Sequence, residues 1–287
     1  MTVQLKDRRG KILVEIALGN AKPLLREATL TRTLLEDVDL AGITVTDAEL
    51  LHLRMRGSSL AGADLRGCGL VGADLEDVDF TGASLNHVRL GGARLVGSTL
   101  EKARLVGVDL ENADLRGVKA RGARLDGANA QGTIFARAVL RDASFLRARL
   151  AGAAFEAADL TGAGLEAIDA EGTDWRRASI VEANATGARL SGARMEGLRG
   201  ERAVLVRARL VEVDLAGADL SGADLTGADL SGASLVGADL TNAILTDAKL
   251  RGANVDRMRV RGAHLTGADL RDVTGTMIDA ESLGPYR

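Results

Sequence analysis

The chain has 287 residues, 46% of them hydrophobic, and a formal net charge of −3. That apolar content excludes a disordered chain, and the near-neutral charge gives no basic footprint for nucleic acid. Aromatics are only 2% while glycines number 35 and prolines 2, so the core must be built from small aliphatic groups instead of aromatic area. No apolar stretch approaches the roughly 18 residues of a membrane span. Cys68 is the one cysteine, which excludes an internal disulfide. The first residues lack the basic and apolar regions of a secretion signal. A cytoplasmic protein is expected, with no membrane partner and no direct contact with nucleic acid.

In chain order, residues 1–25 fall outside the pattern that follows and are read as an N-terminal cap. Residues 3–6 and 11–16, separated by Asp7, Arg8, Arg9 and Gly10, read as a β-hairpin. Pro23 could open a short helix over 25–35. The same stretch also fits a repeat through Leu25, Ala28, Leu30, Thr33 and Leu35, and the repeat is the reading adopted.

From there a period of five runs without a phase shift. Leu60, Leu65, Leu70, Leu75, Phe80, Leu85 and Leu90 are consecutive members, and the series continues to Leu270 with substitutions. Call this position i. A small residue sits at i−2 (Ala63, Cys68, Ala73, Val78, Ala83), a polar residue, often Asp, at i−1, and Gly commonly at i+2. In a strand, i−2 and i face one way and i−1 the other. Five is odd, so a straight strand would flip the next leucine outward, and a corner must reset the phase in every unit. Gly at i+2 suits that corner. A helix is excluded, because a period of five spreads the leucines around its axis.

Phe135, Phe155 and Trp175 occupy position i at steps of 20, with Met195 next. Four units per turn would stack these side chains in one inner column. Small residues at i accompany large ones at i−2, as in Val118 with Ala120, Ile168 with Ala170 and Leu198 with Gly200. That compensation is what a close-packed interior needs. Ile43 and Leu53, both large at i−2, are expected to distort the first coils or delay their start.

Units such as Ala218-Asp219-Leu220-Ser221-Gly222 resemble those of the pentapeptide-repeat family. The resemblance implies an all-β fold, a right-handed quadrilateral β-helix over residues 26–270. At a strand spacing of about 4.8 Å, about 12 coils would make a solenoid roughly 58 Å long. Residues 271–287 would then form a C-terminal cap or tail. Its apolar residues Met277, Ile278, Leu283 and Tyr286 suit a lid on the last coil, and the resemblance adds a homodimer contact as the other reading.

Catalytic chemistry is not expected. His52, His87 and His264 are scattered, and no metal-ligand spacing occurs. Cys68 at i−2 reads as a small core residue. No Gly-rich string carries the Lys-Ser/Thr of a phosphate-binding loop. Neither metal nor cofactor is expected.

Charge is banded. Residues 211–248 hold Glu212, Asp214, Asp219, Asp224, Asp229 and Asp239 with no Lys or Arg, while 176–210 is rich in arginine. The resemblance implies a non-enzymatic protein that binds a bacterial type II topoisomerase, DNA gyrase or topoisomerase IV, as a DNA mimic or antibiotic-resistance factor. The acidic residues 212–239 are the candidate contact. Three features weigh against it. Asp214, Asp219, Asp224 and Asp229 make a ring instead of a stripe. Lys119 and Arg199 interrupt the lengthwise column through Asp159, Ser179, Asp219 and Asp239. The inserted loops with which some quinolone-resistance members engage gyrase are not seen. A scaffold or adaptor for another protein, for example a secretion-associated one, stands beside the first reading.

Overall fold

The computed structural model describes residues 2–6, 12–17, 24–26 and 34–279. The chain forms two compact units, Met1–Val139 and Leu140–Arg287.

In the first unit, strand β1 (Thr2–Lys6) pairs antiparallel with β2 (Ile12–Ala17), Val3 opposite Ile16. Strand β3 (Leu24–Arg26) lies parallel to β4 (Thr44–Thr46), Leu25 opposite Val45. The alternative of a helix opening near Pro23 is therefore met by a strand at 24–26, and residues 27–33 lie outside the described ones. From Leu34 onward, parallel bridges join residues 20 apart, from Leu34–Arg54 to Lys119–Val139. The chain thus lies beside itself again after every four five-residue steps. No α-helix occurs among the described residues.

The corner in each step is a β-turn. The Ala63 amide donates to the Leu60 carbonyl at 3.0 Å, and Gly62 between them has φ +64°. A positive φ at the third turn residue is the requirement of a type II turn. Arg177 and Glu212 adopt the same conformation at φ +58° and +56°, at a cost of about 1–2 kcal/mol each for an L side chain. The coil imposes the corner, and glycine relieves it without being indispensable.

Leu at i and Ala at i−2 point inward. Ile43 and Leu53 are 3% and 1% exposed, and the bridges around them keep their register. The expected distortion at these positions is absent. The interior accommodates them with an apolar cavity of about 30 Å³ bounded by Leu40, Leu53, Leu60 and Leu75 among others. Buried hydroxyls at i−2 find carbonyls 23 residues back: Ser58 on Leu35 at 2.7 Å, Ser98 on Leu75 at 2.6 Å and Thr133 on Leu110 at 2.7 Å. Cys68 does the same on Val45 at 3.0 Å. Burial pushes its thiol up to about 11, which makes it a core residue and a poor nucleophile.

The second unit follows the same rule, with bridges 20 apart from Ser144–Gly164 to Asn254–Thr274, and the last bridge, Arg259–Ile278, spans 19 residues. Phe155 and Trp175 stack, ring centroids 4.3 Å apart and planes 10° from parallel. Phe145 meets Phe155 edge-on at 6.3 Å. The buried Trp175 indole N–H donates to Thr173 Oγ1 at 2.6 Å, and that hydroxyl donates to the Ala170 carbonyl at 2.6 Å. Sequence reasoning found the tryptophan and missed Thr173, although a buried indole N–H calls for such a partner.

Candidate partner-binding surface

The aspartates at i−1 have a local task. Asp214 accepts the Ala216 amide at 3.0 Å, Asp219 the Ser221 amide at 3.0 Å, Asp224 the Thr226 amide at 2.9 Å, Asp229 the Ser231 amide at 3.2 Å and Asp239 the Thr241 amide at 2.9 Å. Each is an Asx-turn that holds the corner following it. Asn does the same at Asn184 and Asn254. The longer Glu does not take this role among the bonds found, and that preference for Asp is the signal a sequence reader could have used.

Asp214, Asp219, Asp224 and Asp229 stand in four different ladders, and Asp219 and Asp239 share one. Within that ladder the order runs Asp159, Ser179, Arg199, Asp219, Asp239, Arg259. Arg259 pairs with Asp239 at 3.4 Å, and Lys249 with Asp229 at 3.7 Å. Glu212, Asp214, Asp219 and Asp224 make no ion pair with a described residue. Asp229 and Asp239 are held below the usual carboxylate range. Their partial burial opposes the shift, and hydrogen bonds from Ser231 and Thr241 and the neighbouring Lys249 and Arg259 outweigh it. The acid is therefore a short cuff, bordered by cations and partly neutralised.

At the C-terminal end, Met277 is half-buried and Ile278 exposed, and Ile278 still bridges Arg259. The inward residues Leu265, Leu270 and Val273 are only half-buried. Leu283 and Tyr286 lie outside the described residues. His52, His87 and His264 are exposed on separate steps. No His, Cys, Asp and Glu group among the described residues is placed to hold a metal ion, and no helix there is long and apolar enough to cross a membrane.

The pentapeptide-repeat family model matches in eight copies, over residues 58–97, 93–129, 123–162, 158–197, 208–247 and 243–274. The chain belongs to the pentapeptide-repeat family. Membership makes its parallel coils right-handed β-helix. Proteins of this family are generally non-enzymatic structural or binding proteins. No curated protein matches the chain in sequence. Among solved structures, it is similar to HetL of Nostoc sp. strain PCC 7120, a pentapeptide-repeat protein involved in heterocyst differentiation regulation. The identity is 27% over 89% of this chain and 92% of that one, with a TM-score of 0.26. Rfr23 of the cyanobacterium Cyanothece 51142 is 35% identical over 32% of this chain and 64% of its own, TM-score 0.32. QnrB1, a plasmid-mediated fluoroquinolone resistance protein, is 23% identical over 68% and 92%, TM-score 0.35. The family match, and not these superpositions, carries the assignment.

Proposed function

We propose that this pentapeptide-repeat protein is a non-enzymatic cytoplasmic binding protein whose acidic cuff, Glu212 to Asp239, engages a bacterial type II topoisomerase in place of DNA. The reading takes each turn as four five-residue sides, the simplest geometry for bridges 20 residues apart. Charge density is the observation that carries it. Residues 211–250 hold seven carboxylates and one lysine, a net of six negative charges over two turns. At about 4.8 Å of rise per turn, that is about one charge per 1.6 Å, close to the ~1.7 Å of duplex DNA.

The test uses the turn chemistry. Asn caps the same corner as Asp, so Asp219→Asn with Asp239→Asn removes charge and keeps the fold. Gyrase supercoiling and pull-down are measured with parent, double-Asn and double-Lys proteins. Progressive loss of binding from parent to Asn to Lys, steeper at low salt, supports the reading. Recovery of a different partner, with no effect on supercoiling at micromolar protein, overturns it and leaves the adaptor reading. That second reading draws on Lys249 and Arg259, which neutralise the cuff at its far edge. The half-buried Leu265, Leu270 and Val273 fit a homodimer through the C-terminal end, which light scattering of the full chain tests against a monomer.

A further inference from the structure

Outside the acidic cuff, the second unit carries a groove of about 360 Å³ lined by Arg141, Arg177, Arg199, Asp159, Ser179 and Val181 among others. Its floor is low because the residues there are short. Ala157 stands at a corner where Arg177 follows one turn later, and Ser179 stands in the ladder between Asp159 and Arg199. Long arginines rise around these short side chains, so the concavity is a consequence of side-chain length at three successive turns.

The groove holds three guanidinium groups against one carboxylate. Asp159 is engaged on one side, by the Arg141 guanidinium at 3.4 Å and the Thr161 hydroxyl at 2.7 Å. Thr161 and Ser179 hydroxyls lie 3.2 Å apart and complete that polar wall. Arg199 is shared with Glu201 at 3.2 Å and keeps 65% of its side chain exposed. Arg177 has no acidic partner among the described residues. Two forked donors thus face one concave space with less carboxylate than they can bind, and a guanidinium pair of this kind suits a planar oxyanion in a bidentate arrangement.

We infer that this groove binds a short acidic peptide segment of a partner protein through Arg177 and Arg199. The extent of the positive surface selects the ligand. In the ladder of Arg199, the next two residues are Asp219 and Asp239, so a long polyanion such as duplex DNA would run from the groove onto like charge. A segment of a few residues ends before that boundary. The inference is independent of the topoisomerase reading, since it uses other residues and the opposite charge.

The experiment measures fluorescence anisotropy of a dye-labelled hexaglutamate peptide against the full chain, with hexaglutamine as the neutral probe. The variant is Arg177→Gly with Arg199→Gln. Arg177 has φ +58°, a conformation native to glycine, so this change removes the guanidinium without straining the corner. Arg207→Gln, at a corner outside the groove lining, is the control. Saturable binding of hexaglutamate, at least tenfold weaker in the double variant and unchanged in the control, is the expected result. It should weaken as salt rises. Equal losses in both variants, or equal binding of hexaglutamine, would overturn the inference. So would inorganic phosphate displacing the peptide completely at millimolar concentration, which would assign the groove to a free small oxyanion.

Discussion

Asp47 leans over Gly67, its neighbour one turn later: a Cβ built on Gly67 would lie 2.2 Å from Asp47 Oδ1. The same relation joins Asp37 with Gly57, Asp77 with Gly97, Asn112 with Gly132 and Asp247 with Gly267. A polar side chain in the left-handed corner occupies the space where the next corner's Cβ would stand. Where both corners carry long side chains, as at Glu182 and Arg202, they form an ion pair instead.

Gly67→Ala is therefore expected to cost more than Gly62→Ala, although both glycines are left-handed, at φ +72° and +64°. Gly62 has open space around its Cβ position, so its substitution carries only the left-handed penalty of about 1–2 kcal/mol. Gly67→Ala adds displacement of Asp47, and Asp47→Ala should recover that increment. Urea melts of the two single variants and the Asp47→Ala/Gly67→Ala pair measure the coupling. Equal costs at Gly62 and Gly67 would refute the stacking.

Thr173→Val keeps the shape of the side chain and removes the acceptor of the Trp175 indole. A buried N–H left without a partner costs about 1–3 kcal/mol. Thr173→Ser keeps the hydroxyl and should cost less. Thermal melts give the energies, and the tryptophan emission reports whether water reaches the ring.

Packing beside the aromatic stack offers two opposite changes. Ala170 is fully buried, and Ala170→Leu should overpack the interior at about 1–3 kcal/mol. Leu198 is 1% exposed beside Gly200, whose missing Cβ would sit 2.8 Å from Leu220. Leu198→Ala should open a cavity at roughly 2–5 kcal/mol. Parent-like melting of both variants would contradict the inward placement of i−2 and i.

Acid should unfold the protein within a defined window. Asp64, Asp114 and Asp174 are held below the usual carboxylate range by hydrogen bonds from Arg66, Arg116 and Arg176, with burial opposing. Arg271 holds Asp269 at about 2 in the same way. A depressed folded value stabilises above the unfolded one, near 4, and the contribution disappears as pH falls through the folded value. Melting temperature should stay level from pH 7 to about 4.5 and fall between about 4 and 2. Arg176→Gln should lower the melting temperature at pH 7 and make the fall between about pH 4 and 2 smaller, because Asp174 then loses its main hydrogen bond and most of its contribution. A midpoint that drops already between pH 7 and 6 would assign the sensitivity elsewhere.

The period of five, the inward Leu and Ala, the corner and the stacking of Phe155 on Trp175 were legible in the chain. Each follows from alternation inside a five-residue unit and from a fixed step of 20, so neighbouring residues suffice to read them. Tolerance of Ile43 and Leu53 was not legible, because it depends on how far surrounding leucines leave room. On the surface, the column through Asp159, Ser179, Arg199, Asp219 and Asp239 and the separate ladders of Asp214, Asp219, Asp224 and Asp229 also followed from the step of 20, whereas the pairing of the charges did not. That Arg259 neutralises Asp239, that Thr173 serves Trp175, and that Ala157 and Ser179 leave a hollow among three arginines are decisions of the tertiary structure. An outward side chain takes partners from its own corner, as Asp64 does from Arg66, and from the turns above and below, as Asp239 does from Arg259, and the lengths and rotamers of both sets settle which charges meet.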